Sequence, residues 1–291
     1  MALSSRSRAG AYIALTKPDV SFLVLMTTAA GYYMGARGPV NWLHMLQTVF
    51  ATMLIASGTA ALNHYIERDS DRYMRRTASR PLPSGVLQPV QALVFGVVLS
   101  IAGALDLYFT AGALAAGLGV ATCLGYLLGY TPLKKRTVWA TFVGAFPGAI
   151  PPMIGWVAAS GSLDRGAWLL FGILFLWQFP HFHAIAWMYR EDYARAGILM
   201  LPVVDPEGKR TFRQIILTAI ALIGVALLPS VVGLAGVLYF FGALVVSVAL
   251  LQVCLWAAAV RTNVRAKWLM HATVMHIPLL LGLMAYDKIP R

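Results

Sequence analysis

The chain has 291 residues, 59% of them hydrophobic and only 12% charged, where a soluble chain of this size carries about 25% charged residues. A mean hydropathy of +0.72 excludes an ordinary soluble domain. The net charge of +12 does not read as a nucleic-acid surface, because every lysine and arginine except Arg37, Arg165, Lys288 and Arg291 falls in the N-terminal segment or in alternate loops between apolar runs.

A helix crossing a hydrocarbon core of about 30 Å needs about 20 apolar residues. Such runs are expected over roughly 20–36, 42–65, 88–109, 111–130, 138–158, 166–188, 212–232, 235–259 and 268–286. Basic residues in short loops mark the cytoplasmic side. Nine crossings therefore put the N-terminus inside and the C-terminus outside. The expected architecture is an all-α integral membrane protein, one membrane-embedded domain over 1–291 with residues 1–19 as a cytoplasmic N-terminal segment. The opening stretch MALSSRSRAGAYIALTKPDV lacks an early apolar core with a cleavage site, so no secretory signal is expected. A bacterial or archaeal inner membrane is the expected address.

The second run leads into ALNHYIERDSDRYMRRTASRPLP, where Glu67, Arg68, Asp69, Asp71, Arg72, Arg75, Arg76 and Arg80 crowd together. Asn63, Glu67 and Asp71 recur every four residues, which places them on one face of a helix, turn above turn. An amide and two carboxylates make a hard-oxygen set suited to Mg²⁺, which takes one or two carboxylates and fills its shell with water and phosphate oxygens. The arginines supply forked donors for phosphate. A plainer reading is an interfacial helix end whose acids pair with those arginines, and it is preferred for Arg68 and Arg72. For the stripe it is not, because Asn63 lies inside the apolar run, where a polar side chain is costly.

After the fourth run, YTPLKKRT offers Lys134, Lys135 and Arg136, either to close over a diphosphate or simply to set topology. GYLLG and GAFPG have the small-residue spacing of close helix packing. Pro147, Pro151 and Pro152 predict a break or bend in the fifth run, as a cavity wall or as a simple kink. Cys123 and Cys254 lie in apolar runs without paired spacing and read as packing residues.

The sixth run ends LFLWQFPHFHAIAWMYREDY. Gln178, His181 and Asp192 in one helix and its exit point to a polar site, and an imidazole there can ligate a haem iron or accept a proton. Glu191 and Asp192 are candidate ligands of a second metal. Asp71 and Asp192 occupy similar places after the second and sixth runs, which hints at an internal repeat. His271 and His276 do not share a helix face and read as packing residues.

Taken in order, NHYIERDSDRYMRRTASRPL, YTPLKKRT, GAFPGAIPPMIGW, WQFPHF and DYARAGILMLP resemble the protohaem IX farnesyltransferases (haem O synthases) of the UbiA prenyltransferase superfamily. The resemblance covers most of residues 60–203, while the last three runs agree only in hydropathy. Glu67 stands where relatives acting on aromatic acids or quinones usually carry Asp, and WQFPHF belongs to the haem-modifying branch. The resemblance implies a nine-helix UbiA-like bundle with its site on the cytoplasmic face. Farnesyl diphosphate would bind there with Mg²⁺ between the two acidic motifs. Its allylic cation would be taken by the 2-vinyl group of haem b, and water would add to give haem O, with a downstream haem A synthase as a partner.

By matching position, Asn63, Glu67 and Asp71 carry over as the first metal and diphosphate motif, with Asp192 as the core of the second. Arg76, Arg80, Lys134 and Arg136 carry over as diphosphate contacts, and His181, with Gln178 nearby, as the haem side. Two departures stand out: Tyr193 replaces an acid common in quinone-type relatives, and His183 replaces an apolar or aromatic residue. The rival readings are a UbiA-type enzyme for an aromatic or quinone precursor and, from another class, a haem or ion transporter. A transporter's charges should sit near mid-bilayer, and here they gather at one face.

Overall fold

The computed structural model describes residues 7–290. Among them the chain is helical, and the only β pairing is an isolated bridge between Ala235 and Lys288. A short α1 (Arg8–Leu15), capped by the Ser7 side chain on the Gly10 amide, meets α2 (Pro18–Gly35) at a bend of 48°. Lys17 sits at that bend with φ 48°, ψ 68°, a left-handed conformation rare for a side-chain-bearing residue.

The next helix, α3 (Trp42–Asp71), starts at an Asn41 cap and runs for 30 residues. At 1.5 Å per residue it is about 45 Å long, longer than the hydrocarbon is thick, so its last turns carry Asn63, Glu67 and Asp71 to the membrane surface. After it comes α4 (Pro89–Leu124), then a π-helical turn over Gly125–Tyr130 and the single turn α5 (Thr131–Leu133). Together Pro89–Leu133 form a 45-residue apolar stretch, which drawn straight would be about 67 Å, twice what a bilayer accepts. Gly112, at φ 87° and ψ 169°, breaks it in a conformation that glycine tolerates and other residues resist. The break falls at the start of the fourth expected run, two residues past the boundary at residue 110.

The fifth run is two helices, α6 (Ala140–Ala149) and α7 (Pro151–Ser160), parted at Ile150. Then follow α8 (Arg165–Met188), capped by Asp164, and the short α9 (Arg190–Arg195) and α10 (Leu201–Val204). The chain ends in α11 (Lys209–Val231), α12 (Val237–Ala259) and α13 (Asn263–Tyr286). By length and composition, seven helices among the described residues are apolar enough to cross a membrane, or eight if α1 and α2 together make one span. That count takes Pro89–Leu133 as one, whereas the sequence divided it into two runs.

Pro147, Pro151 and Pro152 are all buried. They separate α6 from α7 and press α7 onto α2. A Cβ on Gly31 would lie 2.0 Å from the Pro152 carbonyl oxygen, and one on Gly155 would lie 1.9 Å from that of Thr28. Such backbone approach is how helices associate where lipid removes the hydrophobic drive between them. The largest core cluster joins α8, α11, α12 and α13 around Trp177, Phe212 and Tyr239. Cys123 and Cys254 are buried and unpaired, as packing residues should be. Of the α13 histidines, His276 is buried against Ser247 Oγ at 3.2 Å, but His271 is exposed, so only one of the two packs.

Candidate active site

The final turns of α3 deliver the acidic stripe, and each member meets a cation. Asn63, fully buried, accepts a hydrogen bond from Lys17 Nζ at 2.8 Å and donates to Thr131 Oγ1 at 3.2 Å. Glu67 Oε1 pairs with Lys134 Nζ at 2.8 Å, and Asp71 Oδ2 with Arg80 Nη1 at 2.8 Å. The loop after α3 folds back so that Thr77 Oγ1 donates to the Asp71 carbonyl at 2.8 Å, bringing Arg80 over the helix end. Asp69 points outward and is exposed, as its place off the stripe requires.

Lys134 is held from two sides. Its ammonium lies 4.3 Å from the centre of the Tyr130 ring and 5.9 Å from that of Tyr126, both on the π-helical turn. Such turns are rare and recur at functional sites. Burial alone would lower the Lys134 ammonium, but the facing Glu67 carboxylate together with Tyr130 and Tyr126 outweighs it and holds it well above the ordinary lysine value. A small cavity of about 100 Å³ opens here, lined by Glu67, Ser70, Thr131, Lys134, Lys135 and Ile198. Arg136, the other expected contact, is exposed at the next position, and Lys135 takes the place on the cavity wall.

The second acidic motif closes on the first. Asp192 is buried in α9, and its Oδ2 accepts from the Arg76 backbone amide at 3.3 Å, across 116 residues of chain. Its other oxygen pairs with Arg195. The Arg76 guanidinium lies 4.6 Å from the Tyr189 ring centre and donates to the Tyr193 hydroxyl at 3.3 Å. Tyr193 thus anchors an arginine where quinone-type relatives often have an acid. Glu191 is exposed. The Leu199 amide donates to the Lys134 carbonyl at 2.6 Å, so the loops after α3, α5 and α8 share one end of the bundle.

This donor set fits a hard cation. Asp71 Oδ1 is buried and has no hydrogen-bond partner among the described residues, an oxygen whose isolation is costly. Among the described residues no three His, Cys, Asp or Glu side chains converge closely enough to form a protein-only cage. The arrangement suits an ion held by one or two carboxylates and completed by phosphate and water, the usual habit of Mg²⁺.

The histidine segment divides in three directions. Gln178 is buried and donates through Nε2 to the Ala145 carbonyl at 3.0 Å and the Leu174 carbonyl at 3.1 Å. Gly148 makes room for it, since a Cβ there would fall 2.0 Å from Gln178 Oε1. This fastens α8 to α6. His183 turns toward α11, its Nε2 3.1 Å from Gln214 Oε1. His181 is half-buried and turns toward α13, stacked on Trp177 with ring centres 4.9 Å apart and Nδ1 2.8 Å from Thr273 Oγ1.

The sequence profile of the UbiA prenyltransferase family matches residues 24–279. The chain belongs to that family. The protoheme IX farnesyltransferase of Solibacter usitatus (strain Ellin6076) is 52% identical over 286 residues, covering 95% of this chain and 98% of the relative. Among solved structures, one of a digeranylgeranylglyceryl phosphate synthase in membranes superposes with a TM-score of 0.79 at 17% identity, over 96% of this chain and 98% of that one. A UbiA homologue from Archaeoglobus fulgidus bound to GPP and Mg²⁺ superposes with a TM-score of 0.66 at 12% identity, over 94% and 99%. At these identities the structures establish the fold.

Two residues at this candidate site escaped the sequence reading. Lys17 reaches Asn63 only through its left-handed bend, and a strained, half-buried lysine is a mark of a functional position. Burial, together with the charge of Arg80, lowers its ammonium to about 7. The only signal for it in the sequence was a lysine directly before the proline that opens a span. His64, next to Asn63, is buried with neither ring nitrogen partnered among the described residues. Lys135, which the sequence offered with Lys134 and Arg136 either to close over a diphosphate or to set topology, lines the cavity.

Proposed function

We propose that this chain transfers the farnesyl group of farnesyl diphosphate to the 2-vinyl group of haem b with addition of water, giving haem O and diphosphate. The observation that carries it is the junction of the two acidic loops, where Asp192 takes the Arg76 amide while Lys134 and Arg80 stand on Glu67 and Asp71. Cations and carboxylates gathered at one end of an apolar bundle suit a substrate with a charged head and a long apolar tail. The acceptor follows from the near full-length likeness to a protoheme IX farnesyltransferase and from the WQFPHF segment.

In this reading the C1–O bond of farnesyl diphosphate breaks with its electron pair going to the leaving oxygen. Lys134, Arg80, Arg76 and, from the cavity rim, Lys135 donate to that diphosphate. Arg136, exposed beside them, is the outermost contact. Glu67 and Asp71, with Asp192 on the facing loop, would hold Mg²⁺, which when bound would supply charge neutralisation to the leaving group, in keeping with the Mg²⁺ named in the Archaeoglobus homologue's structure. Asn63, gripped by Lys17 and Thr131, sets the depth of the site. The vinyl π bond closes on C1, a cation forms on the carbon next to the porphyrin ring, and water adds there and releases a proton. His181 faces the haem. Gln178 serves by holding α8 against α6, so that His181 keeps its place.

The two arms of α4, α2, α3, the α6–α7 pair, α8, α11, α12 and α13 make nine crossings, with the acidic loops on the cytoplasmic face of a bacterial inner membrane. The product then passes to an enzyme oxidising haem O, such as a haem A synthase. Purified protein incubated with haem b, farnesyl diphosphate and Mg²⁺ should yield a farnesylated, hydrated haem by mass spectrometry, and none with EDTA. Absence of that product together with prenylation of a phenolic acceptor would overturn the haem assignment and keep the prenyl transfer.

A further inference from the structure

The hydrogen bonds around His181 determine which of its nitrogens carries the proton. Thr273 Oγ1 lies 2.6 Å from the Met270 carbonyl oxygen one turn back on α13, and a carbonyl can only accept. The hydroxyl has a single proton, and this bond uses it. Facing His181 Nδ1 at 2.8 Å, the same oxygen therefore acts as an acceptor, so Nδ1 bears the hydrogen. A neutral imidazole protonated at Nδ1 presents Nε2 as a bare lone pair. Among the described residues no donor reaches Nε2.

The clamp is closed from a second direction. Trp177 Nε1 donates to the backbone carbonyl of Thr273 at 2.8 Å, and the Trp177 ring lies 15° from parallel with the His181 ring. One threonine thus fixes both the rotation of the imidazole, through its hydroxyl, and the stacking partner, through its carbonyl. A lone pair held this way cannot bind a haem propionate, which would need an N–H donor. It can bind a metal, and the Nδ1–H···O bond behind it is the arrangement that orients a ligating histidine and strengthens it as a donor.

We propose that Thr273 is a positioning residue that holds His181 as its Nδ1–H tautomer and presents Nε2 to the iron of the haem substrate. This rests on the haem reading above, and the test separates the two. The full chain in nanodiscs is titrated with haem b by absorbance, and farnesyl diphosphate binding is measured in parallel. His181→Ala should abolish the imidazole-ligated spectrum. Thr273→Val keeps the backbone carbonyl and the side-chain volume but removes the hydroxyl. It should shift the spectrum away from imidazole ligation and weaken haem binding about tenfold, as loss of an outer-shell partner does, with farnesyl diphosphate binding unchanged. Thr273→Ser should restore both haem signals. Wild-type spectrum and affinity in Thr273→Val, with loss in His181→Ala, overturn the role of Thr273 and leave His181 on the haem. Unchanged haem binding in His181→Ala removes His181 from the haem altogether. Equal loss of haem and farnesyl diphosphate binding in Thr273→Val makes Thr273 a packing residue and likewise overturns the proposal.

Discussion

The two ends of the bundle use charge in opposite ways. At the end away from the acidic loops, charged and polar side chains close mainly on backbone, and the ion pair found there, Arg37 with Asp164 at 3.7 Å, is a long one with Arg37 exposed. Lys288 Nζ donates to the Tyr33 and Ala36 carbonyls at 2.6 and 2.8 Å, where α2 ends. Asp287 Oδ2 accepts from the Tyr239 amide at 2.7 Å in the first turn of α12, and His44 spans from the Tyr32 hydroxyl to the Thr110 carbonyl, 2.9 Å each. These contacts satisfy the groups that helix ends leave bare. At the acidic end, charge closes on charge: Glu67 on Lys134, Asp71 on Arg80, Asp192 on Arg195. A backbone carbonyl cannot leave its helix, but a lysine or arginine can trade a carboxylate for a phosphate. The first kind of contact builds a lid on the bundle, and the second leaves exchangeable charges at the acidic end.

Substitutions at the two ends should therefore separate activity from stability. Asp71→Asn should give the largest effect, a loss of product formation of at least about a hundredfold, or about 2.7 kcal/mol of barrier. Its thermal midpoint in detergent should stay close to wild type, because the amide oxygen still accepts from Arg80, whose side chain is 25% exposed and so is not left as a fully buried, unpaired charge. Wild-type rates in that variant would dismiss the stripe as a metal site. Next comes Lys134→Met, with about a tenfold rise in KM for farnesyl diphosphate, equal to about 1.4 kcal/mol. That variant also strands the Glu67 carboxylate, whose side chain is only 13% exposed. Adding Glu67→Gln should therefore recover stability without recovering rate, a non-additivity expected of directly paired side chains. At the other end, Asp287→Ala should cost about 1–2 kcal/mol of stability, as loss of a helix cap does, with turnover per folded molecule unchanged. A turnover loss matching that of Lys134→Met would erase the contrast between the ends.

Much of this was legible in the sequence for one reason: bilayer thickness and helix geometry are rigid rulers. They placed the apolar runs and the stripe at 63, 67 and 71, and they put a boundary beside Gly112 before its backbone angles were known. What escaped depends on where the chain turns. Lys17 joins Asn63 across 46 residues through a single left-handed residue, and periodicity does not register that. Gln178 was expected beside the substrate, because an amide in an apolar helix reads as a site. Its donors go instead to two backbone carbonyls, in space that Gly148 leaves open. Thr273 gave no signal, since a threonine hydroxyl inside an apolar run usually serves its own helix. The final three helices matched known motifs only in hydropathy, yet one of them supplies the residue that fixes His181. His271, expected to pack, faces outward.

The smallest expected effect tests the division of the arginines. Arg68 stands in the middle of the charged run, one residue from Glu67, yet it folds backward along its own helix. Its Nη1 donates to the Tyr65 carbonyl at 2.7 Å, its guanidinium lies 4.7 Å from the Tyr65 ring centre, and its nearest carboxylate oxygen, on exposed Asp69, is 3.7 Å away. A surface pair of that kind is worth about 0–1 kcal/mol. Arg68→Ala should leave both rate and KM for farnesyl diphosphate within about twofold of wild type and shift stability by less than about 0.5 kcal/mol, while Arg80→Ala, made in parallel, should lose most activity. The two residues have the same charge and lie in the same loop-proximal run, so their difference isolates geometry from charge. If Arg68→Ala falls as far as Arg80→Ala, the run acts as a diffuse positive field and the stripe has no special register. If only Arg80→Ala falls, the substrate's charge is read by the side chains that the turn after Asp71 folds back over the helix end.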